Sequence, residues 1–146
     1  MENMENMVVL LVEDDPGDQK LTKIALMSGE KNCDVRIVAS GEEGLDYLSQ
    51  SCEGNPQNPR PKLILLDLNM PGMGGKEFLR RLKANDKLND IPVVILSTSG
   101  AELDIEECYR LQASGYIQKP TSPVEFQQSV NKFARYWSVT LLTAKA

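Results

Sequence analysis

The stretch LILLDLNMPG, residues 63–72, runs four apolar residues straight into Asp67 and follows them with a Pro-Gly turn signal. An unbroken apolar run of this length reads as a strand covered on both faces, as in a parallel sheet sandwiched by helices. Its last residue is an acid. A carboxylate at the margin of a low-dielectric core is costly unless something nearby compensates its charge. Asp67 is therefore either the strand's exit into water or a residue with chemistry to perform.

Working outward from this strand, the same pattern recurs. MVVLLV predicts a first strand at about 7–12, and IPVVILS a fourth at about 91–97. CDVRIV predicts a second at 33–38, KLILLD places the third at 62–67, and GYIQ predicts a short fifth at 115–118. Helical patterns separate them. Pro16 suits a first helical position after Asp15, which is expected to cap the helix, and Leu21, Ile24, Ala25 and Ser28 keep helical spacing. Ser40 and Glu43 form a capping box. Residues 52–61, with three prolines and a glycine, predict a surface loop inside one domain. Gly74 and Gly75 precede a helix with Phe78, Leu79 and Leu82 on one face, and an acidic helix is expected near 102–110. Ser122, Pro123 and Glu125 open a last helix whose buried stripe is read as Phe126, Val130, Phe133, Ala134 and Trp137. Five βα units in succession predict a flavodoxin-like, doubly wound α/β fold with a parallel sheet in strand order 2-1-3-4-5.

In that fold, ligands bind beyond the carboxyl ends of the strands, at the switch point between strands one and three. Strand one ends in Glu13-Asp14-Asp15, strand three in Asp67, strand four in Ser97-Thr98-Ser99, and strand five in Lys119. Acids, hydroxyls and a lysine are thus expected on one rim. Crowded carboxylates cannot all ionise without compensation. Mg²⁺ would supply it, taking one or two carboxylates together with phosphate oxygens. An ionised Asp67 beside a metal and Lys119 is a candidate nucleophile toward phosphorus, with an aspartyl-phosphate as the product.

Composition narrows the field further. The 146 residues suit one domain, with 41% apolar and 25% charged residues and a net charge of −5. No basic block stands out, so neither nucleic acid nor an anionic membrane is expected as a partner. There is no histidine, which excludes Ser-His-Asp and Cys-His catalysis and His-ligated metals, and leaves oxygen-ligated cations. A phosphohistidine donor would have to be another protein. Cys33, Cys52 and Cys108 make no zinc or redox spacing, and a cytoplasmic location is expected. No apolar run approaches the ~18 residues of a membrane span.

Four motifs in the right order carry a family resemblance: EDD after strand one, DLNMPGMGG around Asp67, LSTS after strand four, and GYIQKP with its lysine-proline pair. The chain resembles the CheY-like receiver domains of two-component response regulators, over about residues 7–136. LLVEDDPGDQKL, the Pro-rich loop, RPKLILLDLNMPGMGGKEFL and FARYWSVTL resemble more closely the single-domain regulators that partner cyanobacterial phytochromes, which are light-sensing histidine kinases. The resemblance implies Asp67 as phosphoacceptor and metal ligand. It implies Asp14 as a direct Mg²⁺ ligand, Glu13 acting mostly through water, and Asn69 lending its backbone carbonyl. It implies Ser97 as the switching hydroxyl, where Thr is commoner, and Tyr116 as the aromatic whose rotamer follows it. Lys119 would pair with Asp67 or the phosphoryl group, and its bond to Pro120 is expected to be cis. A phytochrome-type histidine kinase is the implied partner. Residues 1–6 read as a leader, 7–137 as the receiver and 138–146 as a tail. Trp137, Val139, Leu141 and Leu142 are expected to make a homodimer contact. The ten or so residues after the last helix leave no room for an output domain, so output is expected from the receiver's own surface.

Two other functions fit parts of the pattern. A haloacid-dehalogenase-like phosphatase also uses a strand-end aspartate, but it looks for a second acid two residues on, and Asn69 stands there. A receiver-shaped scaffold that is never phosphorylated would have no use for the acid-acid-lysine set.

Overall fold

The computed structural model describes residues 7–27, 33–119, 122 and 124–132. Five strands are present: β1 (Met7–Val12), β2 (Cys33–Val38), β3 (Leu63–Asp67), β4 (Val93–Ser97) and β5 (Gly115–Gln118). Between them lie α1 (Pro16–Met27), α2 (Gly41–Cys52), α3 (Gly75–Lys83) and α4 (Glu102–Arg110). A fifth helix, α5, covers 124–132. The sheet is wholly parallel in the expected order, β2-β1-β3-β4-β5.

Strand alternation divides the core in two. Leu10, Val12, Ile64, Leu66 and Ile95 point to one face and pack with Leu48 of α2, Phe78, Leu79 and Leu82 of α3, and Cys108 of α4. Val9, Leu11, Leu63, Leu65, Val94 and Leu96 point to the other and pack with Ala25 and Leu26 of α1 and Phe126 and Val130 of α5. Every residue of β3 and β4 is buried. The continuous apolar runs follow from this, since both faces of the central strands meet helices. β2 is only half-buried throughout, as befits its edge position.

Most caps form where the sequence places them. Asp15 Oδ2 accepts from the Asp18 N–H at 2.8 Å, so Asp15 caps α1 with Pro16 in the first turn. Ser40 Oγ accepts from the Glu43 N–H at 3.1 Å. Glu43 reaches back one residue further than a capping box requires, accepting from Ala39 N–H at 3.0 Å. Ser122 Oγ accepts from the Glu125 N–H at 3.3 Å at the start of α5.

Three details differ from the sequence reading. The buried face of α1 is Thr22, Ala25 and Leu26, while Ile24 is 43% exposed. Ala25 and Leu26 share a buried cluster with Val9 and Leu11, and docking through this face leaves Ile24 turned outward. Strands β3 and β4 start at Leu63 and Val93: Lys62, just outside β3, still donates its N–H to Val8 O at 2.8 Å, and Pro92 lacks a ladder N–H. Cys52 belongs to α2, so the Pro-rich loop begins after it. That loop is pinned: the Tyr47 hydroxyl donates to Pro59 O at 2.7 Å, and Arg36 donates to Gln57 O at 2.8 Å. Ser28, the Lys119–Pro120 bond, Pro123, Phe133, Ala134, Trp137 and the tail lie outside the described residues.

Candidate functional site

Register brings the acids together. Val12 pairs with Leu66 across β1 and β3, so Glu13 and Asp67 follow at the same level on adjacent strands. One ligand atom from each of Glu13, Asp14 and Asp67 lies within 4.8 Å of the others. Glu13 and Asp67 are buried and Asp14 is half-buried. Gly75 presses on the base of this cluster. A Cβ there would stand 2.5 Å from Asp67 O and 2.7 Å from Leu68 Cα, so only glycine lets α3 approach the Asp67 backbone this closely. The Gly75 N–H donates to Leu68 O at 3.0 Å and closes the turn. Gly72 lies within that turn at φ +74°, a conformation glycine adopts without strain.

Lys119 arrives from the end of β5, its N–H bonded to Ser97 O at 2.7 Å. Its ammonium donates to Glu13 Oε1 at 2.7 Å and Asp18 Oδ2 at 2.8 Å, and stands 3.6 Å from Asp67 Oδ1. Burial opposes its charge, but the bonds to Asp18 and Glu13 prevail and hold it above the usual lysine range. Asp18 was not among the residues singled out from the sequence. An acid in the first turn of a helix reads as a partner of the helix dipole, and nothing in its local sequence points at Lys119.

Burial lifts the Asp67 carboxyl above the ordinary range, with Lys119 opposing the shift. Burial likewise pushes Glu13 up to about 7 from 4.5, against the pull of Lys119. Between those two values the folded chain holds more protons than the unfolded one. The Glu13 contribution to stability is therefore fully present below about pH 4.5 and is lost as pH rises through about 7. Denaturant melts of the metal-free protein are expected to show a fall of as much as about 3 kcal/mol across that window. Glu13→Gln is expected to flatten the profile, and a divalent cation to offset the loss at the upper end.

Ser97 is fully buried, and its Oγ accepts from the Ser99 N–H at 3.1 Å. The Tyr116 hydroxyl does not reach Ser97 directly but donates to Ser99 O at 2.8 Å. Ser99 Oγ donates to Asp104 Oδ2 at 2.6 Å, and Lys76 Nζ donates to Asp104 Oδ1 at 2.7 Å. The hydroxyl at the end of β4 is thus joined through Ser99 to α4, and through Asp104 to α3. Sequence reading identified Ser97 and Tyr116 but not the Ser99–Asp104–Lys76 chain. Asn69 is exposed, and its N–H donates to Asp67 Oδ1 at 3.4 Å.

The donor set is all oxygen and convergent, with buried members whose charge a cation would stabilise. It fits a hard divalent ion of the Mg²⁺ or Mn²⁺ kind.

Known proteins resemble this chain over most of its length. Residues 9–131 match the response regulator receiver domain model. The chain is 36% identical to the response regulator Rcp1 of Synechocystis sp. over 135 residues, covering 92% of this chain and 90% of that one. Its fold is similar to the phosphorylated cyanobacterial phytochrome response regulator RcpA, with a TM-score of 0.85 and 38% identity, covering 93% and 96% of the two chains. It is also similar to the Mn²⁺-bound form of Rcp1, with a TM-score of 0.82 and 35% identity over 90% and 94%.

Proposed function

We propose, from the premise that this chain belongs to the response regulator receiver family, that it takes a phosphoryl group on Asp67 from a histidine kinase of the phytochrome type. The observation that carries the reading is the convergence of Glu13, Asp14 and Asp67 with Lys119 on one rim. Glu13, Asp14 and Asp67, with the backbone carbonyl of Asn69, are the residues that would hold Mg²⁺. When bound, the ion supplies positive charge at the phosphoryl oxygens.

A carboxylate oxygen of Asp67 attacks phosphorus, the bond from phosphorus to the donor imidazole breaks, and the imidazole leaves with a proton from solvent. Lys119 neutralises charge on the transferring group. Ser97 is the switch: its hydroxyl turns to donate to the phosphoryl group and gives up the Ser99 N–H. Tyr116 then responds through the Ser99 carbonyl that it holds. Because serine lacks the methyl of threonine, this rotation is less restricted. The chain promotes its own phosphoryl uptake and does not turn over an external substrate. Asn69 supports this, since it offers no proton to a leaving group as a phosphatase acid would.

The test is phosphotransfer from an autophosphorylated phytochrome-type kinase with Mg²⁺ present. Label is expected to move to this chain stoichiometrically, as a hydroxylamine-sensitive acyl phosphate, with different extents for the kinase's light and dark states. Label that remains on every such kinase, while small acyl-phosphate donors do modify the chain, would reassign the partner. Steady release of phosphate from a small ester would favour the phosphatase reading.

A further inference from the structure

We propose that Asp18 is a positioning residue that keeps the Lys119 ammonium beside Asp67 when a divalent cation occupies the Glu13–Asp14–Asp67 cluster. This inference rests on the phosphoacceptor reading above.

An ammonium has three donors on a rotor about Cε–Nζ. Here two of them are spent, on Glu13 at 2.7 Å and Asp18 at 2.8 Å. Fixing two fixes the direction of the third, and among the described residues the remaining carboxylate within 4 Å of Lys119 is Asp67, at 3.6 Å. The lysine is therefore held within ion-pair reach of the carboxylate to which a phosphoryl group would be attached.

The three acids around Lys119 are not equivalent. Glu13 and Asp67 belong to the convergent cluster, whereas Asp18 stands outside it. A divalent ion repels the ammonium and competes for Glu13 and Asp67. Asp18 is the partner that it leaves to Lys119. Asp18 is also well placed to hold its ground. It sits in the first turn of α1, its own N–H tied to the Asp15 cap at 2.8 Å. Its side chain is 31% exposed, whereas the lysine side chain that it holds is only 6% exposed.

The experiment is a double-mutant cycle read by beryllofluoride affinity in the presence of Mg²⁺, with Asp18→Asn and Lys119→Met made singly and together. Asp18→Asn is expected to weaken beryllofluoride binding about tenfold in the wild-type background and less than about twofold when Lys119 is already Met. Asp18→Glu is expected to restore most of the affinity, which separates a charge anchor from a mere helix-start residue. Circular dichroism and the unfolding midpoint establish that each variant is folded. An equal loss in both backgrounds, or no loss in the wild-type background, overturns the positioning role while leaving Asp67 as the phosphoacceptor. Failure of the unmutated chain to bind beryllofluoride at all overturns the phosphoacceptor reading, and the positioning role with it.

Discussion

Asp67→Asn is expected to reduce phosphoryl uptake by at least about 10³-fold, to the background of the assay. The amide oxygen is a poor nucleophile and carries no charge, so the step that forms the acyl phosphate has no attacking group. The measurement is intact mass after incubation with a small acyl-phosphate donor and Mg²⁺. The wild-type chain should gain one phosphoryl group and the variant none. The fold should survive, because the substitution removes a buried carboxyl that burial already lifts out of the ordinary acid range. Asparagine also removes the charge with which Asp67 raises the Glu13 carboxyl and through which Asp67 is itself raised by Asp14. Stability at neutral pH should therefore hold or rise while Mg²⁺ affinity falls. A variant that still gains the phosphoryl group, on Ser97 or Asp14 for example, would remove Asp67 from its place in the reaction.

Lys119→Met is expected to slow uptake from the same donor by about 10²–10³-fold, the usual cost of removing one preorganised charge from the transferring group. Methionine preserves most of the apolar stem, so the loss is electrostatic more than steric. The same change should tighten Mg²⁺ several-fold. The ammonium is held within 3.6 Å of all three of its acids, and two of these, Glu13 and Asp67, belong to the convergent acidic cluster. Without it, Glu13 loses the hydrogen bond that opposes its burial, and its carboxyl should titrate still higher than about 7. Slower uptake together with tighter metal binding is the signature of a charge acting on the phosphoryl group. If uptake and metal affinity fell together, the lysine would be acting through the shape of the pocket instead.

The legible part of the site consisted of residues at the ends of strands. Asp67, Glu13, Asp14, Ser97 and Lys119 each follow an apolar run, and a parallel sheet must deliver all such ends to one edge. Their meeting could be argued before any coordinates, because strand direction alone decides it. Helix faces were less legible. In α1 the spacing of Leu21, Ile24 and Ala25 was compatible with burial, but docking through Ala25 and Leu26 left Ile24 exposed. Several apolar stripes compete on so short a helix, and only the sheet beneath selects one.

The amino-acid sequence by itself determined the strand order, the two-sided core and the rim on which acids and lysine assemble. The reason is that hydrophobic period and chain direction are local properties that the sheet then repeats. Only the tertiary structure decided which charges pair. Asp18 meets Lys119 across 101 positions of sequence, and Lys76 meets Asp104 across 28. Ion pairs depend on distances of a few ångströms between side chains from separate helices and strands, and no spacing along the chain encodes those distances.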